Sequence, residues 1–460
     1  MMTNIEENLF DVVGIGFGPA NIALAIAAEE LGSNLKMTFL ERNAAAGWQE
    51  EMLLPESDIQ NHPLRDLVTP RNPRSRYTFV NFLFEHNRLF EHLNLPLAHP
   101  LRLEYRQYVT WVANHFTEHV RYSSNVHAIT PVLDNGAITA YEVSYNDGEK
   151  LFAKSIVLAP GRTPHIPPEF HAVDDSRIVH LTQFLGAFKE VQRTVARPRI
   201  AIVGGSQTAV ELLLHVANNL PNGEVVGINR NFGFRLKDTS PFSDEVYFPE
   251  FVDTFFHTSR ENKNRLRNEL VFTNYSASDR DVLDALYVHM YRNKIQNKNE
   301  LKLKHLTTIT KVDAEERAIQ LTLTHSINCT TEILPFDLVV LATGFKDLGG
   351  DPQSEPYPGL LASLANDLEM AHGAMTVDLD YRVKFTREQH ATHAPLFLNG
   401  LCESSHGMGD AGSFSLLSLR SATIVSSLKN YFSSTHSDKK HISDCSKAVV
   451  QSHSQRPLVT

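Results

Sequence analysis

The hydrophobic positions of the chain form short runs that are separated by glycine turns and amphipathic stretches. Residues 9–15 are mostly apolar, a glycine-rich segment follows at 14–21, and the apolar positions of 22–28 continue as a helix. A second apolar run at 36–40 ends at Glu41, 27 residues after Gly14. Strand, turn, helix and strand in this order predict a βαβ dinucleotide-binding unit, in which the acidic residue holds a ribose.

The same succession returns far downstream. Residues 199–203 are an apolar run, a Gly-Gly-Ser turn and a helical pattern follow, and 224–228 supplies the next strand. The apolar runs at 155–161 and 337–341 read as further buried strands, one on each side of the second unit. We therefore predict an α/β fold of two Rossmann-like dinucleotide-binding domains, with the second inserted in the first and a helical region at the cleft between them.

The two glycine turns carry the candidate chemistry. Gly14 suits the tight turn, Gly16 lets backbone approach a pyrophosphate, and the following helix offers unpaired N–H groups. Pro19 replaces the usual third glycine, which the first turn of a helix tolerates. The alternative is a structural turn without a ligand, and Glu41 at the expected distance argues against it.

The second turn has Ser206 where a close-approach glycine is usual. The residues expected to contact its cofactor are Gly204, Ser206, Gln207 and Thr208. After the next strand, Asn229, Arg230 and Arg235 stand where an acid would favour NAD, and an arginine pairs instead with a 2′-phosphate. NADPH is therefore preferred over NADH, and the alternative for Arg230 is a solvated side chain at a strand end.

Charge and composition narrow the function. The 460 residues carry a formal charge of −10, which argues against nucleic-acid binding and favours small-molecule chemistry. No apolar run reaches the ~20 residues that span a bilayer, and the 22 histidines are scattered without metal-ligand spacing, so we expect neither a membrane span nor a metal site. Three widely spaced cysteines indicate a reducing, cytoplasmic compartment.

Two nucleotide-binding units in one chain fit a flavin that receives hydride from a nicotinamide. A disulfide reductase would need a pair of redox cysteines, and the cysteines form no Cys-x-x-Cys pair. The electrons must therefore pass to another acceptor, which favours oxygen.

Several motifs then point to one family. The first turn reads Gly-Ile-Gly-Phe-Gly-Pro-Ala-Asn, and its Gly-Pro-x-Asn ending is more specific than a generic glycine turn. Further motifs lie at 48–60, 64–69, 73–79, 100–111, 238–245, 273–275, 342–345 and 405–407. In their order and spacing the sequence resembles, over most of residues 8–425, the flavin-dependent N-hydroxylating monooxygenases, that is, the ornithine N5-oxygenase and lysine N6-monooxygenase family of siderophore biosynthesis.

The resemblance implies that NADPH reduces FAD, that oxygen forms a C4a-hydroperoxyflavin, and that the terminal primary amine of an ornithine- or lysine-like substrate attacks it to give a hydroxylamine. The order of strands and turns assigns 1–197 to the first part of the FAD domain, 198–335 to the NADPH domain and 336–432 to the return of the FAD domain, and the resemblance adds a substrate-binding segment at 236–300. The tail at 433–460, poor in core residues, is expected to be mobile. The family also suggests a homo-oligomer, a tetramer or a dimer.

The resemblance further implies roles for single residues. Gln60 and Asn274 are the expected catalytic residues, and Arg65, Asp244 and Asn274 the expected substrate-binding residues. The residues expected to contact cofactors are Gly14, Gly16, Gly18, Pro19, Asn21, Glu41, Trp48, Gln60, Arg102, Gly204, Ser206, Gln207, Thr208 and Arg230. Simpler alternatives remain: Gln60 caps a turn, Arg65 pairs with Asp66 or Glu104, and Asp244 is a helix N-cap.

The departures from the family bear on the substrate. Arg65 stands where the ornithine enzymes usually have a carboxylate-binding lysine, and a guanidinium can still bind a carboxylate. Asp244 stands where they usually have asparagine, and its carboxylate favours an ammonium group. His62 and Pro63 also differ from the residues that are usual at these positions in the family. These changes leave a diamine such as putrescine or cadaverine, or histamine, as alternative substrates. A flavin- and NADPH-binding redox sensor without hydroxylase activity is the alternative from another class.

Overall fold

The structure is a computed structural model that describes residues 9–220, 222–386, 394–410 and 413–434. The expected mobile tail at 433–460 lies outside these residues except for its first two positions. The strands, in chain order, are β1 (Leu9–Phe10), β2 (Val12–Ile15), β3 (Met37–Leu40), β4 (Val120–Arg121), β5 (Val126–Asp134), β6 (Ala137–Tyr145), β7 (Glu149–Ala153), β8 (Ile156–Leu158), β9 (Ile178–His180), β10 (Arg199–Val203), β11 (Glu224–Ile228), β12 (Leu301–Lys304), β13 (Thr307–Ala314), β14 (Ile319–His325), β15 (Thr331–Phe336), β16 (Leu338–Leu341), β17 (Met370–Ala371), β18 (Ala374–Met375) and β19 (Leu396–Leu398).

The helices are fewer and lie around these strands. In chain order they are α1 (Pro19–Glu30), α2 (Phe79–Glu85), α3 (Leu89–Leu93), α4 (Arg102–Asn114), α5 (Phe184–Thr194), α6 (Gln207–Asn219), α7 (Pro249–His257), α8 (Arg260–Glu269), α9 (Arg280–Ile295), α10 (Glu403–His406) and α11 (417–434). Short 3-10 helices lie at Glu50–Met52, Thr117–His119, Pro168–Phe170, Leu181–Gln183, Ser243–Tyr247, Val271–Thr273 and Gly359–Leu364. No helix in the described part of the chain is long and apolar enough to cross a membrane.

The first parallel sheet has the order β19-β8-β2-β3-β4. Strands β2, β8 and β19 are buried along their whole lengths, as expected of parallel strands that are covered on both faces. The glycine turn follows β2 and leads into α1, whose side chains from Asn21 to Ala28 are all buried. This confirms the first βαβ unit and the buried strand predicted within 155–161.

The second parallel sheet has the order β12-β11-β10-β16-β9. It confirms the second unit, with one correction to the predicted boundaries. The predicted boundaries, 1–197 and 336–432, put the residues of β9 and β16 in the first domain. In the structure β16 pairs with β10 from Ile200 and Leu338 onward, and β9 pairs with β16. An apolar run predicts a buried strand but does not identify its parallel neighbour, so the sequence could not assign the sheet.

A mixed sheet and an antiparallel sheet cover these layers, and their side chains complete the cores. The sheet β1-β7-β6-β5 belongs with the first unit, whose core cluster also includes α1 and α4. The sheet β13-β14-β15 packs on one face of the second parallel sheet, where Ile319 and Leu321 meet Val226 and Val339. Helices α5 and α6 cover the other face, together with Leu286 of α9. The helices predicted for 236–300 are thus joined to the second unit through α9.

Candidate functional site

A cavity of about 1580 Å³ lies between the two units and brings most of the predicted site residues together. The predicted residues that line it are Trp48, Gln60, Arg65, Arg102, Gly204, Ser206, Gln207, Thr208, Arg230, Asp244 and Asn274. They come from the first unit, from the turn of the second, and from the segment 236–300. Residues that are far apart in sequence therefore share one space of the size that large cofactors and a small substrate need.

Among the described residues that line the cavity, none comes from the first glycine turn at 14–21. Gly16 has φ +82°, and a Cβ added there would lie 2.3 Å from the carbonyl oxygen of Ala159. Gly18 is the N-cap of α1 and carries no side-chain cap, and a Cβ added there would meet nothing within 4 Å. The space before Gly18 leaves the helix N-terminus open to a pyrophosphate, so the turn fits the dinucleotide predicted for it.

Two residues that are predicted to contact this cofactor, Asn21 and Glu41, form hydrogen bonds with the glycine turn itself. Asn21 is fully buried; its Nδ2 donates to the carbonyl oxygens of Gly16 and Ile15 at 2.7 and 3.3 Å, and its Oδ1 accepts from Asn399. The predicted cofactor contact of Asn21 is therefore wrong, because no part of its side chain is accessible. The carboxylate of Glu41 accepts from the backbone N–H groups of Phe17 and Asn43, at 2.8 and 2.9 Å, which leaves lone pairs for a ribose hydroxyl.

The second turn is equally close-packed. A Cβ added at Gly204 would lie 2.5 Å from the carbonyl oxygen of Ala342, and Ser206 is the N-cap of α6 without a side-chain cap. The N–H of Gln207 donates to Ala277, so this amide is not available to a phosphate. Ser206 and Thr208 remain at the cavity surface beside the helix N-terminus.

Three residues that follow the next strand, β11, are candidates for binding a 2′-phosphate, and the structure shows that their surroundings differ. Asn229 is buried, and its side chain holds the following turn through Asn231 and Gly233. The guanidinium of Arg235 lies 4.8 Å from the ring centre of Phe272. Arg230 is exposed at the cavity, and within the described residues its guanidinium has no hydrogen bond or ion pair. Of these three residues, Arg230 is thus the one whose side chain is exposed to the cavity and unpaired within the described residues.

The opposite wall is built from Trp48, Arg102 and Gln60. Trp48 packs edge-on against Tyr105 and Phe414, with ring centres 5.8 and 5.3 Å apart. The Arg102 guanidinium donates to the carbonyl oxygens of Met52 and Asp58 and to the carboxylate of Glu211 on α6. Arg102 lines the cavity, but the donors of its guanidinium that form hydrogen bonds bind the protein itself. Arg102 thus also ties the two units together.

One end of the cavity contains a cation, Arg65, and an anion, Asp244, whose side chains form no ion pair with any described residue. Asp66 accepts from the backbone N–H groups of Val68, Thr69 and Phe79, and Glu104 pairs with other basic side chains, so neither predicted alternative partner of Arg65 is available. The guanidinium of Arg65 lies 5.6 Å from the ring centre of Tyr247. In the described chain it has no carboxylate partner.

Asp244 lies in the 3-10 helix Ser243–Tyr247, beside the same tyrosine. It is not the N-cap that the simpler alternative required, since Phe242 is the N-cap and Asp238 makes the local side-chain contacts. Burial and the nearby carboxylates of Asp244 and Glu403 raise the pKa of Tyr247. Asn274 is exposed to the cavity, and no described residue bonds to its side-chain amide.

Next to Asn274, at the cavity wall, lies a partly buried charged cluster that the sequence did not reveal. Tyr275 donates to the Glu403 carboxylate, and the guanidinium groups of Arg162 and Arg267 bind Asp347 at 2.6 and 2.9 Å. Burial, with Asp347 nearby, raises the pKa of Glu403 to about 7 despite Tyr275 and the two arginines. These residues come from four separate parts of the chain, and only Tyr275, next to Asn274, carried a motif signal.

The sequence analysis also missed a second group of polar residues, which is buried in the first unit. Arg420 of α11 pairs with Asp410 at 2.8 Å, and both side chains are essentially inaccessible. Arg420 also donates to Asn399, which in turn donates to Asn21. The C-terminal segment therefore supports the first glycine turn through a chain of buried polar contacts.

Comparisons with known proteins agree with this arrangement. The model of the family described as L-lysine 6-monooxygenase/L-ornithine 5-monooxygenase matches residues 8–347. An L-ornithine N(5)-monooxygenase of Pseudomonas aeruginosa is 34% identical over 91% of this chain and 93% of its own.

Solved structures are similar over the same extent. The ornithine N-hydroxylase of Kutzneria sp. 744, with reduced FAD, NADP+ and L-ornithine, has a TM-score of 0.84 at 31% identity over 92% of this chain and 99% of its own. An L-lysine 6-monooxygenase from Pseudomonas syringae has a TM-score of 0.79 at 32% identity over 92% and 99% of the two chains.

Proposed function

The chain belongs to the L-lysine 6-monooxygenase/L-ornithine 5-monooxygenase family, and from this premise we propose that it N-hydroxylates the terminal primary amine of an ornithine- or lysine-like amino acid, with FAD, NADPH and oxygen. The product of that reaction suits hydroxamate siderophores and related natural products. The resemblance seen in the sequence leads to the same family.

The observation that carries the choice of substrate is the pair of unpaired charges at one end of the cavity. Arg65 and Asp244 both lie next to Tyr247, one as a cation and one as an anion. An amino acid presents an α-carboxylate and an α-ammonium group close together. A guanidinium and a carboxylate that have no partner in the described part of the chain are complementary to such a head group, and charge-assisted hydrogen bonds fix its orientation.

The cofactors have distinct places in this proposal. FAD would be held by the turn from Gly16 to Gly18, and NADPH by Gly204, Ser206 and Arg230. When bound, FAD would supply the activation of oxygen with two electrons from NADPH, so that one oxygen atom enters the amine and the other leaves as water. The protein orients the amine, and its packed walls, such as Trp48 against Tyr105 and Phe414, exclude water from the reacting groups.

A diamine is the second candidate, and Asp244 is the observation that favours it. A lone carboxylate can bind the distal ammonium of putrescine or cadaverine as well as an α-ammonium group. In that case Arg65 would have no anionic partner in the substrate.

The experiment compares ornithine, lysine, putrescine, cadaverine and histamine with the purified holoenzyme, NADPH and oxygen, and measures hydroxylamine against hydrogen peroxide. We expect coupled hydroxylamine with an amino acid. Arg65→Ala should then raise the KM for that amino acid about tenfold or more, since a charged hydrogen bond is worth about 1.5–3 kcal/mol. Arg88→Ala, which removes a guanidinium that pairs with Glu104 away from the cavity, should leave the KM unchanged.

Other outcomes discriminate among the alternatives. Coupling with a diamine alone, unaffected by Arg65→Ala, would replace the amino acid by a diamine. Hydrogen peroxide with every amine would overturn hydroxylation and favour the redox sensor.

The oligomeric state and the compartment belong to the same proposal. A tetramer or dimer is supported by the exposed apolar side chains of Tyr287, Tyr291 and Ile295 on one face of α9, and light scattering of the purified protein tests it. A cytoplasmic location is supported by three cysteines without paired spacing.

A further inference from the structure

Gln60 is held from two sides by carboxylates. Its backbone N–H donates to Asp58 at 2.9 Å, and its side-chain Nε2 donates to Asp279, which lies 219 residues further along the chain. The backbone of Gln60 has φ +51°, in the left-handed region that costs a non-glycine residue about 1 kcal/mol. These contacts hold a conformation that the residue would not adopt by itself.

Asp279 does not do what an aspartate at its position ordinarily does. It is the N-cap residue of α9, where a carboxylate usually accepts from an N–H of the first turn. Its side chain makes no such hydrogen bond; it faces Gln60, with Lys237 at 3.9 Å. Helix capping therefore does not account for the carboxylate.

Asp279 is also the middle of a chain of contacts between the two units. Its backbone N–H donates to Gln207 Oε1 at 2.9 Å, and Gln207 Nε2 donates to Glu211 at 3.0 Å. Glu211 accepts from Arg102. Because an ionised carboxylate can only accept, Glu211 fixes the orientation of the Gln207 amide, and that amide in turn fixes the backbone of Asp279.

We propose that Asp279 is a positioning residue that orients the amide of Gln60 so that its oxygen faces the cavity. The carboxylate selects Nε2, which leaves Oε1 of Gln60 as an acceptor, and no donor among the described residues reaches that oxygen. The inference rests on the proposed function, which supplies the flavin or the amine whose N–H group the oxygen receives. Gln60 is the group that meets them, and Asp279 acts through it.

A double-mutant cycle tests the proposal on the full-length holoenzyme. Gln60→Ala, Asp279→Ala and the double variant are compared by the FAD dissociation constant, from the fluorescence of flavin released on dilution, and by hydroxylamine formed per NADPH. We expect each single variant to worsen one or both quantities about fivefold to tenfold, in proportion to one charged hydrogen bond. The double variant should be no worse than Gln60→Ala, because Asp279 acts only through the Gln60 side chain.

Two further variants separate positioning from folding. Asp279→Asn keeps the shape but can present either an N–H group or an oxygen, so it should reproduce part of the Asp279→Ala loss. Asp281→Asn removes the same charge two residues later, from an exposed side chain at the start of α9, and should change neither quantity. The thermal midpoint of Asp279→Ala should match that of Asp281→Asn.

The proposal would be overturned if the effects of Gln60→Ala and Asp279→Ala multiply in the double variant. It would also be overturned if the losses in FAD affinity and in hydroxylamine per NADPH only followed the fall in thermal midpoint. Wild-type values of both quantities in Asp279→Ala would also overturn the proposal. If the wild-type enzyme hydroxylates no amine, the proposed function fails, while the cycle on FAD dissociation still decides the role of Asp279.

Discussion

The guanidinium of Arg102 donates from one nitrogen to both carboxylate oxygens of Glu211, at 3.1 and 3.0 Å, across the boundary between the two nucleotide-binding units. Arg102 begins α4 of the first unit and Glu211 lies on α6 of the second, and both side chains are buried. Burial raises the pKa of Glu211, and Arg102 and Gln207 oppose that rise. The pair therefore connects the cavity wall of the first unit to α6, the helix that begins at the second glycine turn.

Glu211→Ala should destabilise the protein by about 3–5 kcal/mol, because it leaves the Arg102 charge buried without a counterion. Glu211→Gln should cost less, since its amide oxygen can still accept from Arg102. Urea unfolding followed by circular dichroism measures both changes. Glu190→Ala removes an exposed partner of Arg193 and should leave the unfolding midpoint unchanged. Equal midpoints for Glu211→Ala and Glu190→Ala would show that the buried pair does not hold the two units together.

The local pattern of the sequence was sufficient for the elements around the two turns. Strand β2, the glycine turn and α1 followed from apolar runs and glycines, because hydrophobic periodicity and turn chemistry are properties of neighbouring residues. The neighbour of β16 was not predictable in the same way. Its partner β10 lies more than a hundred residues away, and any buried parallel strand has much the same composition.

The same distinction between local sequence pattern and tertiary contacts applies to the site residues. Arg65 and Asp244 were named from motifs, and the structure brings both to one cavity. Asn21 was in the motif but is a buried support of the turn, because a motif does not tell whether a polar side chain faces a ligand or the protein. Glu403 was missed altogether, since its partners Tyr275 and Arg267 meet it only through the tertiary fold.

Gly16→Ala should prevent normal closure of the first turn. The side chain would require a left-handed backbone and would lie 2.3 Å from the Ala159 oxygen, which together should cost at least about 2 kcal/mol of unfolding free energy. Gly18→Ala is the matched control, because Gly18 has φ −84° and space around an added Cβ. Urea unfolding without added FAD compares them. A loss in Gly18→Ala as large as in Gly16→Ala would contradict this account of the turn.

Arg230→Ala should remove the preference for NADPH. The lost charge-assisted contact with the 2′-phosphate should raise the KM for NADPH about tenfold or more and leave the KM for NADH unchanged. Steady-state NADPH and NADH oxidation measures both values. Arg235→Ala removes a guanidinium that packs on Phe272 and should leave the ratio of the two KM values as it is in the wild type. Equal losses with both nucleotides would mean that Arg230 does not contact the phosphate.

Glu403 makes the stability of the fold depend on pH. Burial raises its pKa from an ordinary 4.5 to about 7, so the folded protein binds a proton that the unfolded chain releases near pH 4.5. The stability that this proton contributes is fully present below about pH 4.5 and is lost as the pH rises through about 7.

Glu403→Gln tests this, because its neutral amide resembles the protonated acid at every pH. Between about pH 4 and pH 8 the wild type should lose about 3 kcal/mol of unfolding free energy relative to Glu403→Gln. Urea titrations at four pH values across this window give the difference, in which other titrating groups cancel. Glu190→Gln, an exposed glutamate, should follow the wild type throughout. Parallel pH profiles of the wild type and Glu403→Gln would mean that Glu403 is ionised in the fold and that Arg162 and Arg267 outweigh its burial.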